Sequence, residues 1–310
     1  MNLGIRVWMG LTATAVAAWA QVSAGLHLAQ DQFLPGESIP VSVRITNFSG
    51  QTLKLGRDNF WLQFLLEEKH GPSLASISNV PVAGEFDLDN AMIATKRLDL
   101  APHYRSLRPG RYVLSSVLRI PDWGSFLELN PVEFDVFPGT VVWEQLFGVP
   151  NSIGTTGQPE FRRYALQQAF HLKQMKLYAA VTDPSGGRIH AVFPLGPVLT
   201  FSKPEKQIDQ ESNLHVLWQF GARSFYYCVI DPEGRLIARQ THDYAGGSRP
   251  VLATDGDGRI LIRGGVRRRA INDLPEDQPL PAPDNQPSVP PVDPPTDVPS
   301  ARPNTVRPGS

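Results

Sequence analysis

Residues 33–56, FLPGESIPVSVRITNFSGQTLKLG, decide the fold of this chain. Within them, aliphatic residues alternate with residues of other kinds: Ile39, Val41, Val43 and Ile45 against Pro40, Ser42, Arg44 and Thr46. A period of two places one set on each face of a β-strand. Pro35-Gly36 and the run from Asn47 to Gly50 supply turns at the two ends. The stretch therefore predicts a half-buried antiparallel strand whose apolar face a second sheet must cover.

Similar patterns surround this strand throughout residues 25–137. The predicted strands are Leu26–Ala29, Ser38–Thr46, Thr52–Leu55, Phe60–Leu66, Ala91–Leu98, Arg111–Ile120 and Val132–Val136. About seven short strands in ~100 residues, separated by turn signals, are typical of an immunoglobulin-like β-sandwich. The Pro109-Gly110 turn that leads into Tyr112 at a strand start is the most specific signal, because such a tyrosine can be buried with its hydroxyl bonded to nearby backbone.

This segment resembles the immunoglobulin-like modules of exported bacterial proteins. The resemblance depends on the pattern Pro-Gly-Glu-x-apolar-x-apolar at residues 35–41 and on Pro-Gly-x-Tyr at residues 109–112. It implies an architecture that serves many purposes, so it does not fix a function.

The next region, residues 138–272, is predicted to be a small β-hairpin repeat domain with one helix. Residues 138–158 are a connector rich in Gly, Pro, Ser and Thr. A helix is predicted near 159–175, because Pro159 suits a first turn and four apolar residues fall near one face: Leu166, Ala169, Phe170 and Met175. A long strand starting at Phe161 is the alternative.

Three Asp-x-x-Gly turns mark the predicted hairpins. They begin at Asp183, Asp231 and Asp255, and each stands between two strand patterns. The run Leu214–Trp218, followed by Phe225–Tyr227, looks like a blade of a sialidase-type β-propeller. A propeller needs at least four blades of about 40–50 residues, so the region is too short to close one. A stack of antiparallel hairpins is the better prediction.

The two ends of the chain differ in composition from the rest. Residues 1–24 have the features of a secretory signal peptide, with Arg6 before an apolar run and with cleavage after Ala20 or Ala24. The apolar run is shorter than the roughly 20 residues that span a bilayer, so no transmembrane segment should remain after cleavage. The protein is therefore expected to be exported, to the periplasm or the extracellular space. Residues 273–310 are rich in Pro and Asp and are predicted to be disordered.

No motif of a known catalytic or metal site stands in the sequence. The seven histidines have no metal-ligand spacing, and Asp255–Gly258 lacks too many oxygen ligands for a calcium loop, so it is predicted to be a hairpin turn. Cys228 is the single cysteine and lies in a strand pattern, which indicates a buried thiol. These observations favour a protein that is not an enzyme and has neither a cofactor nor a bound metal.

Two groups of residues are candidates for ligand binding. Trp123 lies in the Pro121–Gly124 loop, where its ring could stay exposed and stack on a sugar, although most aromatic residues belong to a core. A basic cluster could bind an acidic polysaccharide or another surface anion, or could simply be a solvated face: Arg263, Arg267, Arg268 and Arg269.

The sequence as a whole favours a binding or structural module. We expect an exported, non-enzymatic protein of the cell envelope or extracellular space, with a protein or glycan partner at the cell surface. A net charge of −1 argues against a nucleic-acid partner. Two alternatives remain open: a carbohydrate-active enzyme that acts on glycosides, suggested by the blade-like run, and a proteinase-inhibitor-like sandwich.

Overall fold

The structure is a computed structural model that describes residues 21–69, 71, 73–74, 80–104, 107–153, 159–171 and 173–274. In these ranges the only helices are two short 3₁₀ turns, Ala101–His103 and Pro121–Trp123, and every other regular element is a β-strand. The all-β prediction is therefore confirmed. Residues 1–20 of the predicted signal peptide and 275–310 of the predicted tail lie outside the described residues.

Ten strands form the first half of the described chain. They are β1 (Val22–Leu28), β2 (Gln32–Phe33), β3 (Pro40–Asn47), β4 (Leu53–Leu55), β5 (Leu62–Glu68), β6 (Ser73–Leu74), β7 (Phe86–Leu88), β8 (Ile93–Asp99), β9 (Gly110–Ile120) and β10 (Ser125–Val136). One sheet has the order β1-β3-β8, a second has the order β2-β10-β9-β5-β6, and β4 pairs with β7. Each strand predicted in residues 25–137 overlaps one of these strands.

The core of this half forms where the alternating faces of the sheets meet. Val41, Val43 and Ile45 of β3 are buried, as the alternation predicts, together with Leu114 and Leu118 of β9. Burial of one such side chain stabilises the fold by about 1.5–3 kcal/mol. The two sheets therefore enclose one sandwich-like core.

Tyr112 fixes the start of β9. Its ring is buried and stacks on Phe134 at 5.5 Å between ring centroids. Its hydroxyl donates to the backbone carbonyl of Arg108 at 2.7 Å. The hydrogen bond from the Tyr112 hydroxyl to nearby backbone, which the Pro109-Gly110 turn led us to expect, is therefore present.

Eleven strands form the second half. They are β11 (Thr140–Ile153), β12 (Pro159–His171), β13 (Gln174–Thr182), β14 (Ile189–Pro197), β15 (Glu205–Ile208), β16 (Leu214–Gln219), β17 (Ser224–Ile230), β18 (Leu236–Asp243), β19 (Val251–Thr254), β20 (Ile260–Arg263) and β21 (Val266–Arg268). One sheet has the order β11-β12-β13-β14, another has the order β15-β16-β17-β18-β21, and β19 pairs with β20. The turns at Asp183, Asp231 and Asp255 join antiparallel partners: β13 to β14, β17 to β18 and β19 to β20.

The helix predicted near 159–175 is wrong, and the alternative of a long strand describes this segment. Strand β12 occupies most of it, antiparallel between β11 and β13. Both faces of β12 are buried in its middle: Tyr164 and Leu166 belong to the core between the two large sheets, whereas Ala165 and Ala169 pack on another cluster. Apolar residues at both parities hide the period of two and imitate a helical face. The predicted connector also contains a strand, β11.

The turn after β2 joins the two halves. Leu34 packs in one buried cluster with Tyr178 of β13 and Val192 of β14. The buried Glu37 carboxylate accepts the Leu34 amide N–H at 2.8 Å and so holds the turn. Burial raises the pKa of Glu37, and the hydrogen bonds from Leu34 and Gln30 oppose that rise. The second half therefore packs on one end of the first sandwich.

Candidate functional site

The candidate site is the end of the first sandwich that lies away from the second half of the chain. Val22, at the start of β1, lies opposite Asn47, at the end of β3, and Ile120, at the end of β9, lies opposite Ser125, at the start of β10. We call this end, with its turns, the distal end; it comprises residues 21–22, 47–50, 57–61, 89–93 and 120–127. The Leu34 turn lies at the other ends of these strands, so the second half leaves the distal end uncovered.

A cavity of about 400 Å³ opens at the distal end, lined by Gln21, Val22, Ile120, Trp123, Ser125, Phe126 and Leu127. Trp123, a residue predicted to bind ligand, reaches it because a single 3₁₀ turn follows β9, with Pro121 at its first position and a bond from the Gly124 amide to the Pro121 carbonyl at 3.1 Å. The ring is half-buried. The adjacent Phe126 is 58% exposed.

Most of the exposed apolar side chains of the first half lie at the distal end. Within residues 21–137, the described part has six large apolar side chains that are exposed, and all except Leu65 belong to the distal end: Phe48, Phe60, Met92, Ile93 and Phe126. Single exposed apolar residues are ordinary, but a contiguous group of them marks an interaction surface.

Ion pairs stand beside these apolar residues. Arg57 pairs with Glu85 at 3.0 Å and reaches Asp122, next to Trp123, at 3.6 Å. Arg119 lies 3.5 Å from Asp58. Exposed pairs of this kind contribute only about 0–1 kcal/mol to stability. An apolar centre with charged groups at its rim is the usual anatomy of a protein–protein interface.

The chemistry of the cavity is that of binding rather than of proton transfer. Gln21, Ser125 and the indole N–H of Trp123 supply its polar side-chain groups, and none of the lining side chains is ionisable. Across the described ranges no group of three His, Cys, Asp or Glu residues could hold a metal ion. Cys228 is buried, and burial raises the pKa of its thiol, so it is not a reactive nucleophile. The helices in these ranges are too short to cross a membrane.

The predicted basic cluster is not brought to this cavity. None of its members lines it: Arg263 at the end of β20, Arg267 and Arg268 in β21, and Arg269 just after it. The guanidinium of Arg268 pairs with Asp243 at 2.7 Å, and that of Arg267 lies 3.5 Å from the buried Asp273. Burial raises the pKa of Asp243, but the hydrogen bonds from Ser224 and Arg268 outweigh it and hold the pKa below its usual value.

The second half contains a buried chain of polar groups that was not predicted from the sequence. Asp209 Oδ2 lies 3.0 Å from His215 Nε2, and His215 Nδ1 lies 2.7 Å from the Tyr227 hydroxyl. In a neutral imidazole, Nε2 donates to the carboxylate and Nδ1 accepts from the hydroxyl. The alternation in β16 and β17 places both rings on one sheet face, but nothing in the sequence showed where Asp209 would lie.

This chain of groups is structural. His215 and Tyr227 are both buried. Leu252 of β19 and Ile262 of β20 pack on the cluster that contains Tyr227, so the hairpin covers this face. Burial raises the pKa of Tyr227 to about 12, which keeps its hydroxyl protonated. A buried polar network whose members are paired in this way rigidifies the sheet.

Comparisons with known proteins show no family for this chain. No protein-family model and no curated protein matches it. Among solved structures, the Pseudomonas fluorescens alkylpurine DNA glycosylase AlkC, bound to DNA with an abasic-site analogue, is 17% identical over 37% of this chain and 30% of that chain, with a TM-score of 0.27. The sporulation control protein Spo0M from Bacillus subtilis is 11% identical over 55% of this chain and 82% of that chain, with a TM-score of 0.27. This chain thus spans less than a third of the glycosylase, and similarity this weak carries no argument.

Proposed function

We propose that this protein is an exported, non-enzymatic binding module of the cell envelope or extracellular space, and that its distal end takes an apolar segment of a partner protein. The observation that carries the proposal is the cavity beside Trp123, with the exposed ring of Phe126 at its mouth. Aromatic side chains in such positions are the usual anchors of protein interfaces.

A protein partner fits the cavity better than a glycan does. A sugar presents several hydroxyl groups, each of which needs a hydrogen-bond partner once it is removed from water. The lining offers the Gln21 and Ser125 side chains and the indole N–H of Trp123 for this purpose, and the rest of its side-chain surface is apolar. An apolar side chain needs no such partners and gains free energy by burial.

We also infer a finer architecture for the two halves of the chain. The first half is an immunoglobulin-like sandwich, supported by its two facing sheets and by the bond from the Tyr112 hydroxyl to the Arg108 carbonyl. The second half is a set of β-hairpins that repeat the Asp-x-x-Gly turn. In modules of the first kind, turns cluster at the two ends of the sandwich and carry the binding residues.

Export implies removal of the predicted signal peptide, and the start of β1 favours cleavage after Ala20. The Phe48 amide donates to the Gln21 carbonyl at 2.6 Å, and Val22 is buried. Cleavage after Ala24 would delete these contacts and part of β1. Mass spectrometry of the exported protein should therefore find Gln21 at the N-terminus. A chain that keeps Met1, or one that begins at Gly25, would contradict this.

The binding proposal is tested by capture from envelope fractions of the source cells with the tagged exported protein, which begins at Gln21. Wild type is compared with Trp123→Ala and Phe126→Ala, and Phe170→Ala is the matched control because Phe170 is 61% exposed on β12. We expect one partner protein to be retained by wild type and the control, with retention about tenfold lower for each distal-end variant, since tenfold corresponds to 1.4 kcal/mol. Equal retention by all four proteins would refute the distal end as the site, and hydrolysis of a glycoside panel would refute the absence of enzyme activity.

A further inference from the structure

The hairpin of β19 and β20 leaves the sheet of the second half and returns to it at one point. Asp243, the last residue of β18, lies directly opposite Val266, the first residue of β21. The chain between them, residues 244–265, is therefore a closed excursion anchored at a single strand pair. We call residues 244–265 the strap. Because both of its ends stand on the same anchor, the strap can turn about that anchor while the sheet stays in place.

Glycine pairs stand at both ends of the strap. Gly246 and Gly247 precede β19, and Gly264 and Gly265 follow β20. All four have a positive φ, between +58° and +76°. A Cβ on either of the first two would meet nothing within 4 Å, whereas one on Gly264 would lie 2.5 Å from the Arg249 carbonyl oxygen, where the two ends of the strap meet. Residues at the ends of elements that absorb changes in φ and ψ serve as hinges, and glycine has the widest choice of both.

The strap crosses one face of the sheet β15-β16-β17-β18-β21. Its anchor lies on β18 and β21, at one edge of this sheet, whereas its strand β19 contacts β15, at the other edge. Between the two edges, Leu252 and Ile262 pack on the cluster that contains Phe225 and Tyr227 of β17. The strap therefore covers an aromatic face of the sheet.

Apolar burial holds the strap only weakly. Of residues 244–265, all of which the structure describes, only Pro250 is buried, whereas Phe225 and Tyr227 beneath the strap are both buried. A two-stranded hairpin is marginally stable at best when it stands alone in water. Segments with few buried apolar contacts open at a free energy below that of global unfolding. The strap thus has the properties of a segment that opens before the sheet does.

One carboxylate on β15 fastens the strap to the far edge of the sheet. Glu205 Oε2 accepts the Leu252 amide N–H at 2.9 Å, and Glu205 Oε1 accepts from Arg249 Nη2 at 3.3 Å. The Arg249 guanidinium also lies over the Phe225 ring, 5.3 Å from its centroid. Hydrogen bonds to an ionised group are roughly twice as strong as those between neutral groups. Glu205 therefore ties both the backbone and a side chain of the strap to the sheet.

We propose that the strap is a latched lid, which opens about its anchor while the five-stranded sheet stays folded. Glu205 is the latch, and opening uncovers the face that carries Phe225 and Tyr227. The protein thereby has an aromatic surface that meets solvent only in the open state. The strap belongs to the second half and the distal end belongs to the first, so this proposal and the binding proposal can fail separately.

Hydrogen exchange of the exported protein, followed by mass spectrometry, tests the lid. Amides of β19 and β20 should exchange together and faster than those of β16 and β17, because their exchange needs only the lid to open. Glu205→Ala should speed exchange in the strap by about a further tenfold, the effect of one hydrogen bond to an ionised group, and leave β16 and β17 unchanged. Glu144→Ala is the matched control, because Glu144 also lies on an edge strand, β11, and pairs with an arginine, Arg163, at 3.5 Å.

Three outcomes of this experiment would overturn the proposal. The first is a strap whose amides exchange as slowly as those of β16 and β17. The second is a Glu205→Ala variant that exchanges like Glu144→Ala. The third is equal acceleration of the strap, β16 and β17 by Glu205→Ala, since the sheet would then open together with the strap.

Nitration by tetranitromethane tests whether opening uncovers the aromatic face. Tyr227 and Tyr164 are both buried, but Tyr227 lies beneath the strap, whereas Tyr164 belongs to the core between the two large sheets. Glu205→Ala should therefore speed nitration of Tyr227 by about tenfold and leave that of Tyr164 unchanged. An unchanged rate at Tyr227, or equal acceleration at both tyrosines, would show that the strap does not control access to this face.

Discussion

Replacement of Gly234 by Ala tests the packing of the Asp-x-x-Gly turns, with Gly186→Ala as the matched control. The two glycines occupy the same position of the same turn, with φ of +81° and +78°. A Cβ on Gly186 would meet nothing within 4 Å, whereas one on Gly234 would overlap the Cβ of Ala191. Comparison of the two variants therefore separates the cost of backbone strain from the cost of steric overlap.

The expected magnitudes follow from these two terms. A left-handed backbone costs an L residue about 1–2 kcal/mol. Alanine offsets about 0.4–1 kcal/mol of this cost, because it lowers the conformational entropy of the unfolded chain. Gly186→Ala should thus lower the free energy of unfolding by about 1 kcal/mol. Overlap with Ala191, whose Cβ cannot rotate away, adds about 1–3 kcal/mol, so Gly234→Ala should lower it by about 2–4 kcal/mol.

Urea unfolding followed by tryptophan fluorescence measures both losses. The slope against urea should be the same for both variants, so that the shift in midpoint reports stability. A double-mutant cycle of Gly234→Ala with Ala191→Gly should give a coupling of about 1–3 kcal/mol. Equal losses for the two single variants, or no coupling in the cycle, would refute the contact between this turn and β14.

Two further predictions concern hydrogen bonds. Tyr112→Phe removes the hydrogen bond to the Arg108 carbonyl and should lower the free energy of unfolding by about 0.5–1.5 kcal/mol. The control is Tyr244→Phe, which should leave the free energy of unfolding unchanged because Tyr244 is exposed. Equal effects of the two variants would contradict the role of Tyr112. Burial raises the pKa of Asp209, but hydrogen bonds from His215 and Asn213 outweigh burial and hold this pKa below its usual value. The ionised Asp209 therefore stabilises the fold above pH about 3.9, and this contribution is lost as the pH falls through the pKa of the folded protein. Asp209→Asn should therefore flatten the acid limb of stability against pH, and an unchanged limb would contradict this.

The alternation of side chains was enough to predict that the first half consists of β-strands, although the short strands β2, β6 and β7 were missed. The residues of β3 obey it because one face of that strand meets the opposing sheet and the other meets solvent. The same rule failed for β12, whose two faces are both buried, so that Leu166 and Ala169 imitated a helix. Strand β11 was missed because its Gly and Pro residues resemble a connector.

The candidate site was predictable only in part. Trp123 was found because Pro121 and Gly124 mark a tight turn that displays its middle residues. The exposure of Phe48 and Phe126 could not be read from the sequence, since an aromatic residue next to a strand end is usually buried. The basic residues near Arg267 form a run in the sequence, but their ion pairs depend on strands that meet only in the folded chain.

A photo-crosslinking amino acid placed at position 126 in cells is the most direct test of the distal end as a binding site. Positions 126 and 170 are 58% and 61% exposed in the wild-type protein, so position 170 is the matched control. We expect a covalent adduct with one partner protein at position 126, loss of this adduct in Trp123→Ala, and no adduct at position 170. Adducts of equal yield at both positions, or no adduct at position 126, would contradict this expectation.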